Sequence, residues 1–205
     1  MKLYLSSYQV GGQANILSEL FAMSKRVGVI RNALDYSDDK ERLKNGRDRE
    51  FIELRSIGLK PEDIDLRNYF DRESELAERL EDLDGLWVVG GNAFILRRAM
   101  SQSGLDKILM NKLQDESFVY AGYSAGACVV GSTLNGLHLV DKPNFIPDGY
   151  KSEIIWDGLG LLPFSIAPHY RSEHPESQMI ERVVEFFIHN KIPFIALRDG
   201  EACIR

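Results

Sequence analysis

At 205 residues, with 44% hydrophobic and 27% charged residues, the chain has the composition of a packed globular protein, long enough to bury a core, which excludes a disordered segment. Its net charge of -6 comes from acids and bases mixed along the chain, with no basic stripe or aromatic-plus-basic cluster, so nucleic acid is set aside as a partner. Cys128 and Cys203 lie far apart without metal-ligand spacing, the N-terminal apolar patch is too short for a signal peptide, and no run could span a bilayer; the expectation is a soluble, cytoplasmic protein with no membrane partner.

The elements alternate along the chain. "KLYLSS" is a short strand closed by polar residues and by Gly11 and Gly12, and "NILSELFAMS" carries apolar residues at helical spacing. "RVGVIRNAL" is rich in β-formers and leads to Asp35, Ser37 and Asp38, candidate N-caps for the amphipathic stretch that ends at Gly58. "PEDIDLRNYF" reads as a loop and short strand, "DRESELAERLEDLD" as a helix, and "GLWVVGGN" as a buried strand running into a turn. Helical "AFILRRAM" and "LDKILMNKLQ" precede the strand "SFVYAG". After a loop-rich region from about Gly131 to Pro163 come the strand "FSIAPH", the helix "SQMIERVVEFFIHN", the strand "PFIALRDG" and a last strand-like run at "ACIR".

Strands alternating with helices predict an α/β fold, a mostly parallel sheet with helices on both faces, as one domain over residues 1–205. In such sheets ligands bind beyond the carboxyl ends of the strands. The segments "VVGGN", "YAGYSAG", "IAPHY" and "ALRDG" are strand ends with chemically suggestive residues, and the fold class would gather them on one edge.

Gly122-Tyr123-Ser124-Ala125-Gly126 has the G-x-S-x-G pattern after a strand and before a helix. A sharp turn there throws the serine hydroxyl clear of the sheet, and the glycines avoid clashes with neighbouring backbone. The Ala125 N–H and the positive end of the following helix would then meet a developing oxyanion. Close helix–sheet packing, or phosphate binding at the helix start, is the plainer alternative. Gly90 and Gly91 also lie between a strand and a helix, and Gly91 could donate a second oxyanion N–H; a simple turn or a phosphate cradle would need the same glycines.

A serine nucleophile needs a base. His138 lies in the loop-rich region, His189 near a helix end and His174 in the polar run "RSEHPES", whereas His169 ends a strand on the edge expected for Ser124, and it is the candidate base. His169 and His174 with Glu173 and Glu176 match no zinc-site spacing, so no metal and no cofactor are expected. For the acid that orients the imidazole, Asp199 is preferred by its strand-end position, with Asp141 and Glu201 as alternatives.

Taken together, "GLWVVGGNAF", "YAGYSAGA", "GLGLLPFSIAPHY" and "ALRDGEA" resemble the peptidase E family of alpha-aspartyl dipeptidases, related to cyanophycinase. The resemblance implies a three-layer α/β/α fold like that of class I glutamine amidotransferases. It also implies a serine peptidase with Ser124 as nucleophile, His169 as base, and Gly91 and Ala125 in the oxyanion hole. The family's "L-x-[ED]-G" segment falls on Asp199, while residues 136–139, where other members carry an acid, hold no carboxylate here. An arginine expected early in the helix after the histidine, to pair with a substrate aspartate, is replaced by Gln178; Arg171 and Arg182 are out of register. Asn92, Gln178 and Arg171 are the candidate substrate contacts, and N-terminal Asp and a broader or shifted dipeptide preference both stay open. The partners are a small peptide substrate and, as an open option, a second copy in a homodimer.

Three rival readings remain open. An α/β-hydrolase esterase would place its histidine last, and none follows Asp199. A glutamine amidotransferase would need a cysteine at the elbow, and Cys128 stands four residues on, in the helix. A non-catalytic binder could use the same glycine turns.

Overall fold

The structure is a computed structural model, and it describes residues 1–21 and 24–205. Among them, six strands form one sheet in the order β3-β2-β4-β5-β1-β8. These are β1 (Lys2–Ser6), β2 (Arg26–Ile30), β3 (Lys60–Ile64), β4 (Gly85–Val88), β5 (Val119–Tyr123) and β8 (Ala202–Ile204). The first five in chain order run parallel, and β8 closes one edge antiparallel to β1.

Period-two alternation builds two cores from these strands. In β1, Leu3 and Leu5 face one side and Tyr4 the other; in β4, Leu86 and Val88 oppose Trp87. In β5, Tyr120 opposes Val119 and Ala121. Both faces are buried, which is why the sequence shows near-continuous apolar runs rather than half-polar strands. Helix α1 (Ala14–Leu20) and helix α2 (Lys40–Ser56) cover one face through Leu17, Phe51 and Leu54. Helices α3 (Glu73–Glu81), α4 (Ala93–Ser103) and α5 (Leu105–Asn111) cover the other. The result is the expected three-layer α/β/α architecture. Of "NILSELFAMS", residues 22 and 23 lie outside the described residues.

One expectation changes. The strands "FSIAPH" and "PFIALRDG" are short, β6 (Ser165–Ala167) and β7 (Phe194–Ala196), and pair with each other in a separate two-stranded parallel sheet. Helix α7 (Ser177–His189), whose Ile180, Val183, Val184 and Phe187 are buried, connects them. The small sheet joins the main one end to end. Past β7 the chain accepts the Gly12 N–H at the Gly200 carbonyl (2.8 Å) and the Ser7 N–H at that of Glu201 (3.0 Å), then enters β8.

The loop-rich region stays largely irregular and is pinned to α4. Arg98 is 1% exposed, and its guanidinium donates to the carbonyls of Pro143 (2.7 Å), Phe145 (3.3 Å) and Glu153 (2.7 Å). A buried cation satisfied by three carbonyls replaces the secondary structure that this segment lacks. Among the described residues no helix is long and apolar enough to cross a membrane. Arg98→Met keeps the apolar stem and strands three acceptors; it should cost about 3 kcal/mol of stability. Urea unfolding would measure this, and limited proteolysis should show earlier cutting between residues 143 and 153. An unchanged midpoint would mean that the clamp contributes nothing.

Candidate active site

The site forms where β1, β4 and β5 end. Register sets Ser6 beside Tyr123 and Val88 beside Gly122, so the residues just past each strand meet. Ser124 follows β5 with φ 47° and ψ -117°, a left-handed conformation strained for any side chain. Its N–H donates to the carbonyls of Ser6 (3.3 Å) and Ser7 (3.2 Å), and its own carbonyl accepts from Ala127 and Cys128, opening the short helix α6 (Ala125–Cys128). A Cβ on Gly126 would lie 2.1 Å from the Val88 carbonyl oxygen, so the elbow admits no larger residue there.

Gly91 has φ 141°, and a Cβ there would fall 2.5 Å from the Ala33 carbonyl oxygen. Gly91, Ser124, Ala125, Cys128, Asp141 and Glu176 line one small crevice. Among the described residues, the backbone N–H groups of Gly91 and Ala125 have no hydrogen-bond partner. The Ser124 hydroxyl has none either, so it makes no bond to His169 here.

His169 follows β6 with φ 58° and is 1% exposed. Its Nδ1 lies 2.7 Å from Asp199 Oδ1. Its backbone N–H donates to Ser7 Oγ (2.7 Å), and that hydroxyl donates to Asp199 Oδ1 (2.7 Å). Ser7 therefore touches all three sequence-predicted residues, its carbonyl receiving Ser124. The His174 ring stacks on that of His169 with centroids 3.6 Å apart and planes 7° off parallel, and Tyr8 stands edge-on to His169 and tilted against His174. Burial holds the His169 imidazole below the ordinary histidine range; the Asp199 bond opposes this, and the neighbouring His174 adds to it.

Among the described residues neither alternative acid bonds to His169. Glu201 accepts from the Arg198 N–H (2.8 Å) and closes its own turn. Asp141 lines the crevice and accepts from the Ala93 N–H (2.8 Å) at the start of α4; burial pushes its carboxyl up to about 7. Cys128 is buried, with its thiol 3.4 Å from the Ile166 carbonyl oxygen, and burial raises it well above the thiol range.

The candidate substrate contacts differ in fate. Asn92 caps α4, its amide oxygen accepting from Phe94 (2.9 Å) and Ile95 (3.1 Å) and its amide nitrogen donating to the Lys142 carbonyl (3.1 Å). Gln178 is exposed on α7, and Arg171 is exposed with its guanidinium over the Tyr170 ring. Neither is among the residues lining the crevice. A larger cavity of about 780 Å³ lies alongside, lined by Tyr8, Tyr123, Arg31, Arg42, Arg49 and Glu50. Glu50 is held between Trp87 Nε1 (2.9 Å) and the Tyr123 hydroxyl (2.7 Å). Sequence reasoning missed this wall and Ser7. The only signal for Ser7 was a second polar residue after an otherwise apolar strand.

The model of peptidase family S51 matches residues 19–205. The chain belongs to peptidase family S51. Curated relatives in this S51 group include Peptidase E of Streptomyces coelicolor, 33% identical over 145 residues, which are 67% of this chain and 54% of that protein. A probable alpha-aspartyl dipeptidase of Drosophila melanogaster is 30% identical over 135 residues, 63% of this chain and 51% of that protein. This chain thus spans about half the length of such relatives. The crystal structure of a putative peptidase E protein from Listeria monocytogenes EGD-e superposes with a TM-score of 0.74 at 21% identity, covering 100% of this chain and 97% of that one. A peptidase from an acI-B1 Actinobacterium gives 0.70 at 14%, covering 100% and 82%. At these identities the structures speak to the S51 fold alone.

The raised Asp141 carboxyl has a consequence for stability. The folded state holds the proton more tightly than the unfolded chain, with its ordinary value of 3.8, so this stability is full below that value and lost as pH rises toward 7. Asp141→Asn keeps the acceptor for Ala93 and removes the charge. Relative to wild type it should gain on the order of 2–4 kcal/mol between about pH 4 and about pH 8. Thermal melts of both proteins across that range would show a widening gap; a constant gap would refute the burial account.

Proposed function

We propose that this chain is a serine peptidase that hydrolyses short peptides through an acyl-enzyme. The observation that carries this reading is the meeting of a strained serine with two unpartnered backbone N–H groups, beside a buried histidine oriented by a carboxylate. The names of the S51 relatives support it.

His169 with its Nδ1–H toward Asp199 presents the Nε2 lone pair as a base. Nε2 takes the Ser124 proton as Oγ attacks the scissile carbonyl, and the Gly91 and Ala125 N–H groups stabilise the oxyanion. His169 then protonates the leaving amine, and water, deprotonated by the same imidazole, releases the acyl group. Asp199 holds the ring. Apo sites often leave the nucleophile–base hydrogen bond unmade until substrate closes it, so the free Ser124 hydroxyl is compatible with this role.

The expected specificity is broader than N-terminal aspartate. Gln178 stands where a guanidinium would be expected, and Arg31, Arg42 and Arg49 line the neighbouring cavity. The compartment that suits two buried free cysteines is the reducing cytoplasm.

Hydrolysis of Asp-Leu, Glu-Leu, Ala-Leu and Lys-Leu by wild type and Ser124→Ala tests the reading. At least one peptide should be cleaved, with kcat falling roughly 10³-fold or more in the variant. Wild-type turnover by Ser124→Ala would end the proposal. Asp199→Asn should lower kcat by about 10²- to 10⁴-fold with little change in KM. Ser7→Ala, which loosens histidine and acid together, should cost about tenfold in kcat; a kcat equal to wild type would show that Ser7 does not position them.

A further inference from the structure

The chain positions of His169, His174 and Glu176 match no zinc motif, yet the turn after β6 folds the second histidine and the glutamate back over the first. One donor atom from each lies within 4.8 Å of the other two. Asp199 holds His169 Nδ1 at 2.7 Å, leaving Nε2 as the free donor. A carboxylate behind a histidine in this way is the arrangement that orients imidazole ligands in metal sites. His174 is half-buried, and its Nδ1 accepts from the Glu176 backbone N–H at 3.2 Å. Among the described residues the Glu176 carboxylate has no hydrogen-bond partner, and it lines the Ser124 crevice.

We propose that His169, His174 and Glu176 form a regulatory site for a divalent transition metal of the zinc class, in which the metal and catalysis compete for the same imidazole. Two imidazoles and one carboxylate suit zinc or cobalt and not the all-oxygen shells of calcium or magnesium. Water completes a four-coordinate site. Ligand atoms of a tetrahedral zinc, at about 2.0–2.1 Å from the ion, stand closer together than the present donors, so the three side chains must close in. The stack must also open, because an imidazole donates in its ring plane and the two planes are parallel. The 170–176 segment is turn and bend rather than helix or strand, and among the described residues the His174 ring is held by one backbone bond, the stack and a tilted contact with Tyr8. With its lone pair on the metal, His169 cannot take the Ser124 proton. The site is therefore inhibitory, and a chelator reverses it.

Only the inhibition rests on the proposed peptidase reading; metal binding does not. The first experiment is therefore optical, using chelator-stripped Ser124→Ala protein titrated with cobalt(II). Intense visible absorption of a four- or five-coordinate ion, saturating at one cobalt per chain and displaced by zinc, is the expected result. His174→Ala and Glu176→Gln should each weaken binding by at least about 10-fold, with circular dichroism reporting that each variant is folded. On Ser124-intact protein, zinc should inhibit peptide cleavage relative to the metal-free rate, EDTA should restore it, and both variants should need correspondingly more zinc relative to their own metal-free rates. A weak octahedral cobalt spectrum, or wild-type affinity in both variants, would overturn the site. Tight binding without inhibition in an active enzyme would overturn the competition. If no peptide is cleaved at all, the cobalt titration still decides whether the site exists.

Discussion

The Ser7 hydroxyl accepts the His169 amide N–H and donates to Asp199, while the carbonyl of the same residue receives the Ser124 amide. Ser124, His169 and Asp199 all hang from that residue, although Ser124 belongs to the main sheet and His169 and Asp199 follow strands of a different one. Among the described residues no strand pairing links the two sheets, so the register that fixes Ser124 against β1 says nothing about where the imidazole lies. Ser7, fully buried just past the end of β1, supplies the missing constraint with short bonds that its burial shields from competition by water.

That constraint also explains why strain can persist at the site. Ser124 and His169 both have positive φ, a cost of order 1–3 kcal/mol each that relaxes unless neighbours over-determine the backbone. Around Ser124 those neighbours are the Ser6 and Ser7 carbonyls on one side and the Val88 carbonyl pressed on Gly126 on the other. Around His169 they are the Ser7 hydroxyl, the Asp199 carboxylate and the stacked His174 ring. Both strained residues thus have fixed backbone surroundings, and the His169 ring is also held by its bond to Asp199.

What was legible from sequence follows from this division. The apolar runs of β1, β4 and β5 and the elbow glycines could be read because burial on both faces and close backbone approach leave few residue choices at those positions. The small sheet could not be read. Strands of three residues such as Ser165–Ala167 and Phe194–Ala196 look alike whichever sheet they join, and the pairing partner is a tertiary fact. Asn92 drew attention by following Gly91, but its type is what a helix N-cap requires, and the first turn of α4 uses its amide oxygen. His174 and Glu176 match no zinc-site spacing because their significance lies in the fold-back over His169, which no spacing along the chain encodes.

The properties that suit His169 for one task suit it for the other. Anchoring Nδ1 to Asp199 fixes the tautomer, keeps the Nε2 lone pair available and limits rotation of the ring, and a general base and a metal ligand need the same three things. The partners then decide the outcome. Around Ser124 lie amide N–H groups without a partner among the described residues, which favour a developing oxyanion. Facing His169 from the turn are a second imidazole and a carboxylate, which favour a cation and offer an oxyanion nothing. A single imidazole between an anion-seeking wall and a cation-seeking wall can serve one at a time, so competition between the two is built into the way the turn after β6 folds.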